Sequence, residues 1–273
     1  MNVTATVTSL AYRTDLMLLT LQGSHIEKRD DYLVVRSPAN PTFHWGNFLL
    51  LATPPAPGTA AARIDAFRRE FPDAAHVALG VDGTTGAAGD PTDLAAAGLS
   101  VERSTVLTAT TLDAPARPNT TATVRVAESD DDWAQAVALS EATNPGFDPA
   151  DHHAFTTRRI AGFRDLQARG HGAWFGAFEG NQLRAGLGLF TDGQGLARYQ
   201  TVATHPAHRN QGLASTLVHT AARHAQAHWS TETLVIVADP TYLAINLYRA
   251  LGFTDSETQI QLDRLSFGTS SGA

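Results

Sequence analysis

The sequence predicts a mixed α/β (α+β) protein of two domains built on one plan, and three observations carry that expectation. Short apolar runs bounded by Gly, Pro, Asn and Asp alternate with longer segments whose apolar residues recur every three or four positions. The element order of the second half is repeated, in its later part, by the first half. Between the two lies Asp113-Ala-Pro-Ala-Arg-Pro-Asn-Thr120, which has no periodicity and reads as a linker. The expected domains are residues 1–115 and 120–266, followed by a Gly/Ser-rich flexible tail at 267–273.

The second half parses in order. Thr121–Ala127 alternates as a strand, with Ala122, Val124 and Val126 on one side. Ser129 and the acidic run Asp130–Asp132 then cap a helix reaching Thr143. Asn144-Pro-Gly-Phe-Asp-Pro149 breaks the pattern, and a second helix follows from Ala150 to Arg169, stopped by Gly170. Strands at Ala173–Phe178, Leu183–Phe190 and Leu196–Thr204 are separated by Glu179-Gly-Asn and Asp192-Gly-Gln-Gly turns. A helix from Gln211 to His228 sets Leu213, Leu217, Ala221 and Ala225 on one face. The apolar strand Thr233–Ala238, a helix from Thr241 to Leu251 stopped by Gly252, and a strand pair around Phe253–Leu262 complete it. In the first half, Tyr12–Leu21 reads as helix, Tyr32–Arg36 and Phe43–Ala52 as strands, Thr59–Phe71 as an amphipathic helix, His76–Val81 as an apolar strand and Asp93–Ala97 as a short helix stopped by Gly98. Val106 and Ile260 each sit eight positions after their glycine, Gly98 and Gly252, which supports a duplication.

Bulk properties narrow the functional classes. With 43% hydrophobic and 17% charged residues, the 273-residue chain has the composition of a soluble globular protein. Net charge is −7, and neither half is basic: residues 1–117 hold 9 Lys/Arg against 12 Asp/Glu, and residues 118–273 hold 11 against 15. A nucleic-acid partner is therefore not expected, and a mildly acidic surface suits a cationic partner such as an amine. The absence of cysteine excludes disulfides, thiolate catalysis and cysteine-based zinc sites. No signal peptide is expected at Met1–Thr6 and no apolar run is long enough to span a bilayer, so the expected setting is cytoplasmic, without a membrane partner. Among the 11 histidines, His224/His228 and His205/His208 are closely spaced, but no His-Glu-x-x-His motif and no third ligand accompany them; no metal is expected.

The run Arg198–Ser215 is the most informative. A strand stops at Pro206, a basic turn follows, and a small-residue helix start exposes consecutive backbone N–H groups, which make an anion site. Gly212 and Ala214 let a phosphate approach the backbone, and Arg209 adds a cation at the mouth.

Arg209-Asn-Gln-Gly212-Leu-Ala214 resembles the acyl-CoA-binding motif Arg/Gln-x-x-Gly-x-Gly/Ala of the GCN5-related N-acetyltransferase (GNAT) superfamily. The family's second signature has its likeness in Ala244-Ile-Asn-Leu-Tyr248-Arg-Ala-Leu-Gly252-Phe253. The resemblance implies two GNAT-like domains, each a central mixed, mostly antiparallel twisted sheet flanked by helices. It implies acetyl-CoA as donor and direct transfer of the acetyl group to a primary amine, on a small molecule or a peptide. By the same resemblance, Val202, Ala203 and Thr204 would pair with the pantetheine arm where two parallel strands splay apart, near Leu196–Thr204 and Thr233–Ala238. Arg209, Asn210, Gln211, Gly212, Leu213, Ala214 and Ser215 would hold the pyrophosphate, with Thr241 and Asn246 as further cofactor contacts. The Val202 N–H would face the thioester carbonyl, and Tyr248 would be the general acid for the departing thiolate.

Two positions depart from the family pattern. Thr241 stands where many relatives carry Asn, and can still cap the helix. Arg198 and Gln200 stand where some relatives carry a glutamate base, leaving Glu141, His152, His153, Glu179 and Asp192 as candidates. Phe147 and Phe155 could line the acceptor pocket. Gly186-Leu-Gly188 lacks the third glycine and the following helix of a dinucleotide fingerprint and reads as a strand with close backbone approach. In the first half the equivalent turn is Thr53-Pro-Pro-Ala-Pro-Gly-Thr59, where three prolines remove backbone donors, so this half is expected to be degenerate. A non-catalytic CoA or acyl-CoA sensor and a transferase for a longer acyl group are the alternatives. The expected assembly is a monomer or weak homodimer.

Overall fold

The computed structural model describes residues 6–41, 43–143 and 149–265. In chain order its elements are α1 (Leu10–Leu21), β1 (His25–Lys28), β2 (Tyr32–Arg36), β3 (Phe48–Leu51), α2 (Ala60–Glu70), β4 (His76–Val81), α3 (Pro91–Ala96) and β5 (Ser100–Ala109). There follow β6 (Thr123–Val126), α4 (Asp130–Thr143), α5 (Pro149–Ala168), β7 (Gly172–Glu179), β8 (Gln182–Thr191), β9 (Leu196–Thr204), α6 (Leu213–His228), β10 (Thr233–Ala238), α7 (Ala244–Ala250) and β11 (Thr254–Leu265). No helix among the described residues is long and apolar enough to cross a membrane.

The chain divides into two units, Met1–Val106 with Ser256–Ala273, and Leu107–Asp255. In the first unit the strand order is β1-β2-β3-β4-β11-β5. β1/β2 and β2/β3 are antiparallel, β3/β4 parallel and β4/β11 antiparallel. In the second unit the order is β5-β10-β9-β8-β7-β6, where β5 contributes Leu107–Ala109. Here β6/β7, β7/β8 and β8/β9 are antiparallel and β9/β10 parallel. The repeat is therefore element for element: α1-β1-β2-β3-α2-β4-α3-β5 runs parallel to α5-β7-β8-β9-α6-β10-α7-β11.

Local chemistry sets the element ends. Ser129 Oγ accepts the Asp132 N–H at 3.1 Å while Asp132 Oδ2 accepts the Ser129 N–H at 3.1 Å, a reciprocal cap that starts α4. Asp90 caps α3 through the Asp93 N–H at 2.8 Å, with Pro91 in the first turn. At the start of α1, Asp82 accepts from Ser9 N–H and Glu257 from Leu10 N–H, both at 2.8 Å, so two carboxylates meet the positive end of the helix dipole. The α6 face read from the sequence is the buried one: Leu213, Leu217, Ala221 and Ala225 pack with Leu187, Leu189, Tyr199 and Leu234. Each such leucine contributes roughly 1.5–3 kcal/mol on burial.

Three expectations need correction, and one strand, β1, is not expected from the sequence. The strand pair around Phe253–Leu262 is the single strand β11, because no Gly or Pro interrupts Thr254–Leu265. The second domain does not keep residues 256–266: from Ser256 the strand lies in the first unit, where Ile260–Leu265 pair with Val81–His76. Phe43–Ala52 is not one strand, since a single helical turn at His44–Gly46 precedes β3. The edge strand β1 is polar and mostly exposed, so it lacks the alternation that reveals a strand.

Candidate active site

Two strands part at the place where the cofactor arm is expected. β9 and β10 pair through Leu196–Thr233, Ala197–Leu234 and Arg198–Val235, and have no registered pair beyond, although β9 runs on to Thr204 and β10 to Ala238. On the opposite side, Gly186 faces Ala203 and Gly188 faces Gln200, so β9 carries one residue more than β8 over this stretch. That extra residue is a β-bulge at Thr201–Val202, with Thr201 at φ +51°. Positive φ at a β-branched residue costs on the order of 1–3 kcal/mol, and such strain persists only where the surroundings hold it. Thr201 Oγ1 is also buried with no hydrogen-bond partner. An extended polar arm entering between β9 and β10 fits a strand end that has left its ladder and keeps an unanswered hydroxyl.

The turn that follows is shaped to receive an anion. A helical turn at Pro206–His208 is capped by His205, whose Nδ1 accepts the Ala207 N–H at 3.3 Å. Asn210 (φ +61°) and Gly212 (φ +74°) are left-handed. A Cβ on Gly212 would stand 2.3 Å from the Arg117 carbonyl oxygen, so only glycine fits. Asn119 holds the turn from the linker side, donating its Nδ2–H to Gln211 O at 2.9 Å and its N–H to Thr216 Oγ1 at 2.8 Å. No side chain caps α6, and the N–H groups of Leu213, Ala214 and Ser215 have no protein acceptor among the described residues. Ser215 turns its hydroxyl back to Gly212 O at 3.0 Å. The Arg209 side chain is exposed, and its Nε–H donates to Thr204 O at 3.5 Å. The residues present therefore suit a pyrophosphate.

On α7, Tyr248 is 6% exposed, with its ring 6.2 Å from that of Phe253. Burial, and after it the neighbouring Tyr242, push its phenol up to about 12. Asn246 is exposed on the same helix. Thr241 does not cap α7, whose first turn begins after Leu243. Its N–H and hydroxyl both donate to Asp239 Oδ1 at 2.7 Å, which holds that carboxyl below its usual range.

The candidate bases separate. Glu141 on α4 and His153 on α5 come together, with Nδ1 to Oε1 2.6 Å. Glu179 instead holds Arg184 at 3.1 Å and lies 3.9 Å from His208. Asp192 caps its turn through the Gln194 N–H at 2.9 Å. His152 and Phe155 are half-buried on α5, and Phe147 lies outside the described residues. Arg198 is buried, and Gln200 accepts from Arg159 Nη2 at 3.4 Å. Neither the bulge nor Arg159 is marked by any signal in the sequence. The His224 and His228 rings stack at 4.3 Å, and no group of three His, Asp or Glu side chains among the described residues is arranged for a metal. Gly186 is approached closely by a side chain and not, as expected, by backbone: a Cβ there would meet the Trp174 ring at 1.9 Å.

The first unit has neither device at the equivalent place. The β3/β4 pair continues to Leu51–Val81, the last residue of each strand, so no gap opens. The first N–H of α2, that of Ala60, is taken at 3.0 Å by the Asp93 carboxylate.

Residues 136–253 match the acetyltransferase (GNAT) family, so the second unit carries a domain of that family. The fold is that of GNAT proteins, including a tandem one. It is similar to a tandem GNAT protein from the clavulanic acid biosynthesis pathway, at 17% identity and TM-score 0.57, over 96% of this chain and 91% of the other. A GCN5-related N-acetyltransferase from Kribbella flavida is similar at 16% identity and TM-score 0.65, over 93% and 95%. A conserved protein of unknown function from Staphylococcus epidermidis is similar at 10% identity and TM-score 0.71, over 89% and 94%. No curated protein matches the chain.

Proposed function

We propose that the second unit is an N-acyltransferase that moves an acetyl group from acetyl-CoA to a primary amine by direct attack, and that the first unit is a duplicate without a cofactor site. The observation that carries this reading is the coincidence, in one unit, of unpaired β9 and β10 ends, a bulge at Thr201–Val202 and an uncapped α6 N-terminus. In the first unit the same two places are closed by strand pairing and by Asp93.

Acetyl-CoA would supply the acetyl group in activated form, as a thioester. Arg209, the turn Asn210–Gly212 and the first N–H groups of α6, at Leu213, Ala214 and Ser215, would hold its pyrophosphate. Val202, Ala203 and Thr204 would pair with its arm, as an added strand pairs with a free edge. The Val202 N–H would polarise the carbonyl under attack. Tyr248, kept neutral by burial, would give its proton to the departing sulfur. Thr241 and Asn246 complete the proposed contacts through their position at the start of α7.

Thiol release from acetyl-CoA across a panel of amines, with calorimetric titration of CoA, tests this reading. The expected result is turnover with a subset of amines and one CoA site per chain. Tyr248→Phe is expected to lower kcat by about 10²–10⁴-fold with CoA affinity retained. Unchanged kcat would remove the acid assignment, and tight CoA binding without turnover on any amine would make the domain a sensor.

A further inference from the structure

Arg159 sits on α5 and reaches β9, where its Nη2 lies 3.4 Å from Gln200 Oε1. Gln200 is the last registered residue before the bulge, so this guanidinium stands next to the strand segment assigned to the transfer. Its remaining contact is a loose one with the Phe163 ring, 5.7 Å from the ring centroid. Three other arginines meet a carboxylate: Arg125 reaches Asp132 at 2.7 Å, Arg184 reaches Glu179 at 3.1 Å and Arg36 reaches Glu70 at 2.5 Å. Arg159 has no such partner among the described residues, and it is half-buried. Burial without an anion pulls its pKa below the usual guanidinium value.

A guanidinium carries five N–H donors in a fixed fork and stays charged in proteins. Holding it away from water with one long hydrogen bond is costly, and the arrangement makes sense when an anion completes it. Gln200 accepts from the donor-only guanidinium through Oε1, so its amide N–H groups are not spent on Arg159. The planar fork of the guanidinium, flanked by a neutral amide, matches a carboxylate, whose two oxygens accept two parallel N–H bonds. We infer that the amine acceptor carries a carboxylate, and that Arg159 with Gln200 binds it beside the bulge of β9. This inference rests on the acyl-transfer reading above, and it narrows the acceptors from amines in general to amino acids and related amino carboxylates.

The test compares a set of L-amino acids with their carboxamides at equal concentrations of free amine. The wild-type protein is expected to favour the acids in kcat/KM by at least tenfold, mainly through KM. Arg159→Gln is expected to bring the ratio of acid to amide close to one, and Arg159→Lys to restore part of it. Equal wild-type rates on acids and amides, or a preference that survives Arg159→Gln, would overturn the proposal while leaving acyl transfer intact. If no amine of either set accepts an acetyl group, the transfer reading fails, and calorimetry with N-acetyl amino acids on CoA-saturated protein decides the anion site. Binding lost in Arg159→Gln supports it, and no wild-type binding overturns it.

Discussion

Tyr248 illustrates how one buried residue can set a pH profile. An exposed phenol titrates near 10, whereas burial and the nearby Tyr242 push this one up to about 12. The proton donor is then intact across the range in which an acceptor ammonium loses its proton. kcat/KM is expected to rise with pH as the free amine accumulates, with no descending limb from Tyr248 below about pH 11. A fall with apparent pKa near 10 would show that the acid is another, more exposed group. The stability linkage has a definite sign. A folded pKa above the unfolded one adds stability that is complete below about pH 10 and is lost as pH rises through about 12. Tyr248, Arg209 and Gly212 stand at fixed spacings in the two signatures, so the sequence alone names them as candidates. The state of Thr241 was not legible there: Asp239, two residues earlier, takes its hydroxyl before the helix can. Arg159 was missed because a lone arginine on a helix reads as a solvated side chain, and only the fold shows what it lacks.

At the level of elements, the strand–turn–helix around Pro206 owes its shape to backbone requirements that a sequence states unevenly. Gly212 announces its left-handed conformation; Thr201 hides one, since Arg198–Thr204 alternates like any strand and the extra residue shows only against the register of β8. The same contrast separates two glycine substitutions. Gly212→Ala adds a Cβ 2.3 Å from Arg117 O at φ +74°, whereas Gly180→Ala, at φ +58°, meets nothing within 4 Å. Both incur a left-handed conformational cost of roughly 1–2 kcal/mol, which corresponds to a fall in Tm of a few degrees. Only Gly212→Ala must also displace the turn. It is expected to lower CoA affinity at least tenfold, read as loss of the thermal shift produced by CoA, while Gly180→Ala keeps that shift. Equal CoA affinity in the two variants would dissociate the turn from the cofactor.

For the whole molecule, the duplication was legible in the order of elements, but the ownership of the last strand was not. Sequence spacing treats Gly252 to Ile260 as the end of the second repeat, because pairing partners distant in sequence leave no local trace. In the fold, Ser256–Leu265 complete the sheet of the first unit beside β4, all six residues of which are buried. The strand also brings Ile260 O to the Tyr12 hydroxyl at 2.5 Å, Glu257 to the start of α1, and the buried side chains of Ile260 and Leu262 to the core. A fragment of residues 1–115 therefore lacks one strand of its own core, and β4 is left with an open apolar edge. It is expected to be insoluble or to show no cooperative unfolding by circular dichroism. The same fragment fused through a flexible linker to residues 254–265 is expected to regain a cooperative transition. Cooperative unfolding of residues 1–115 alone would show that the first repeat closes its sheet with β5, as its position in the repeat would allow.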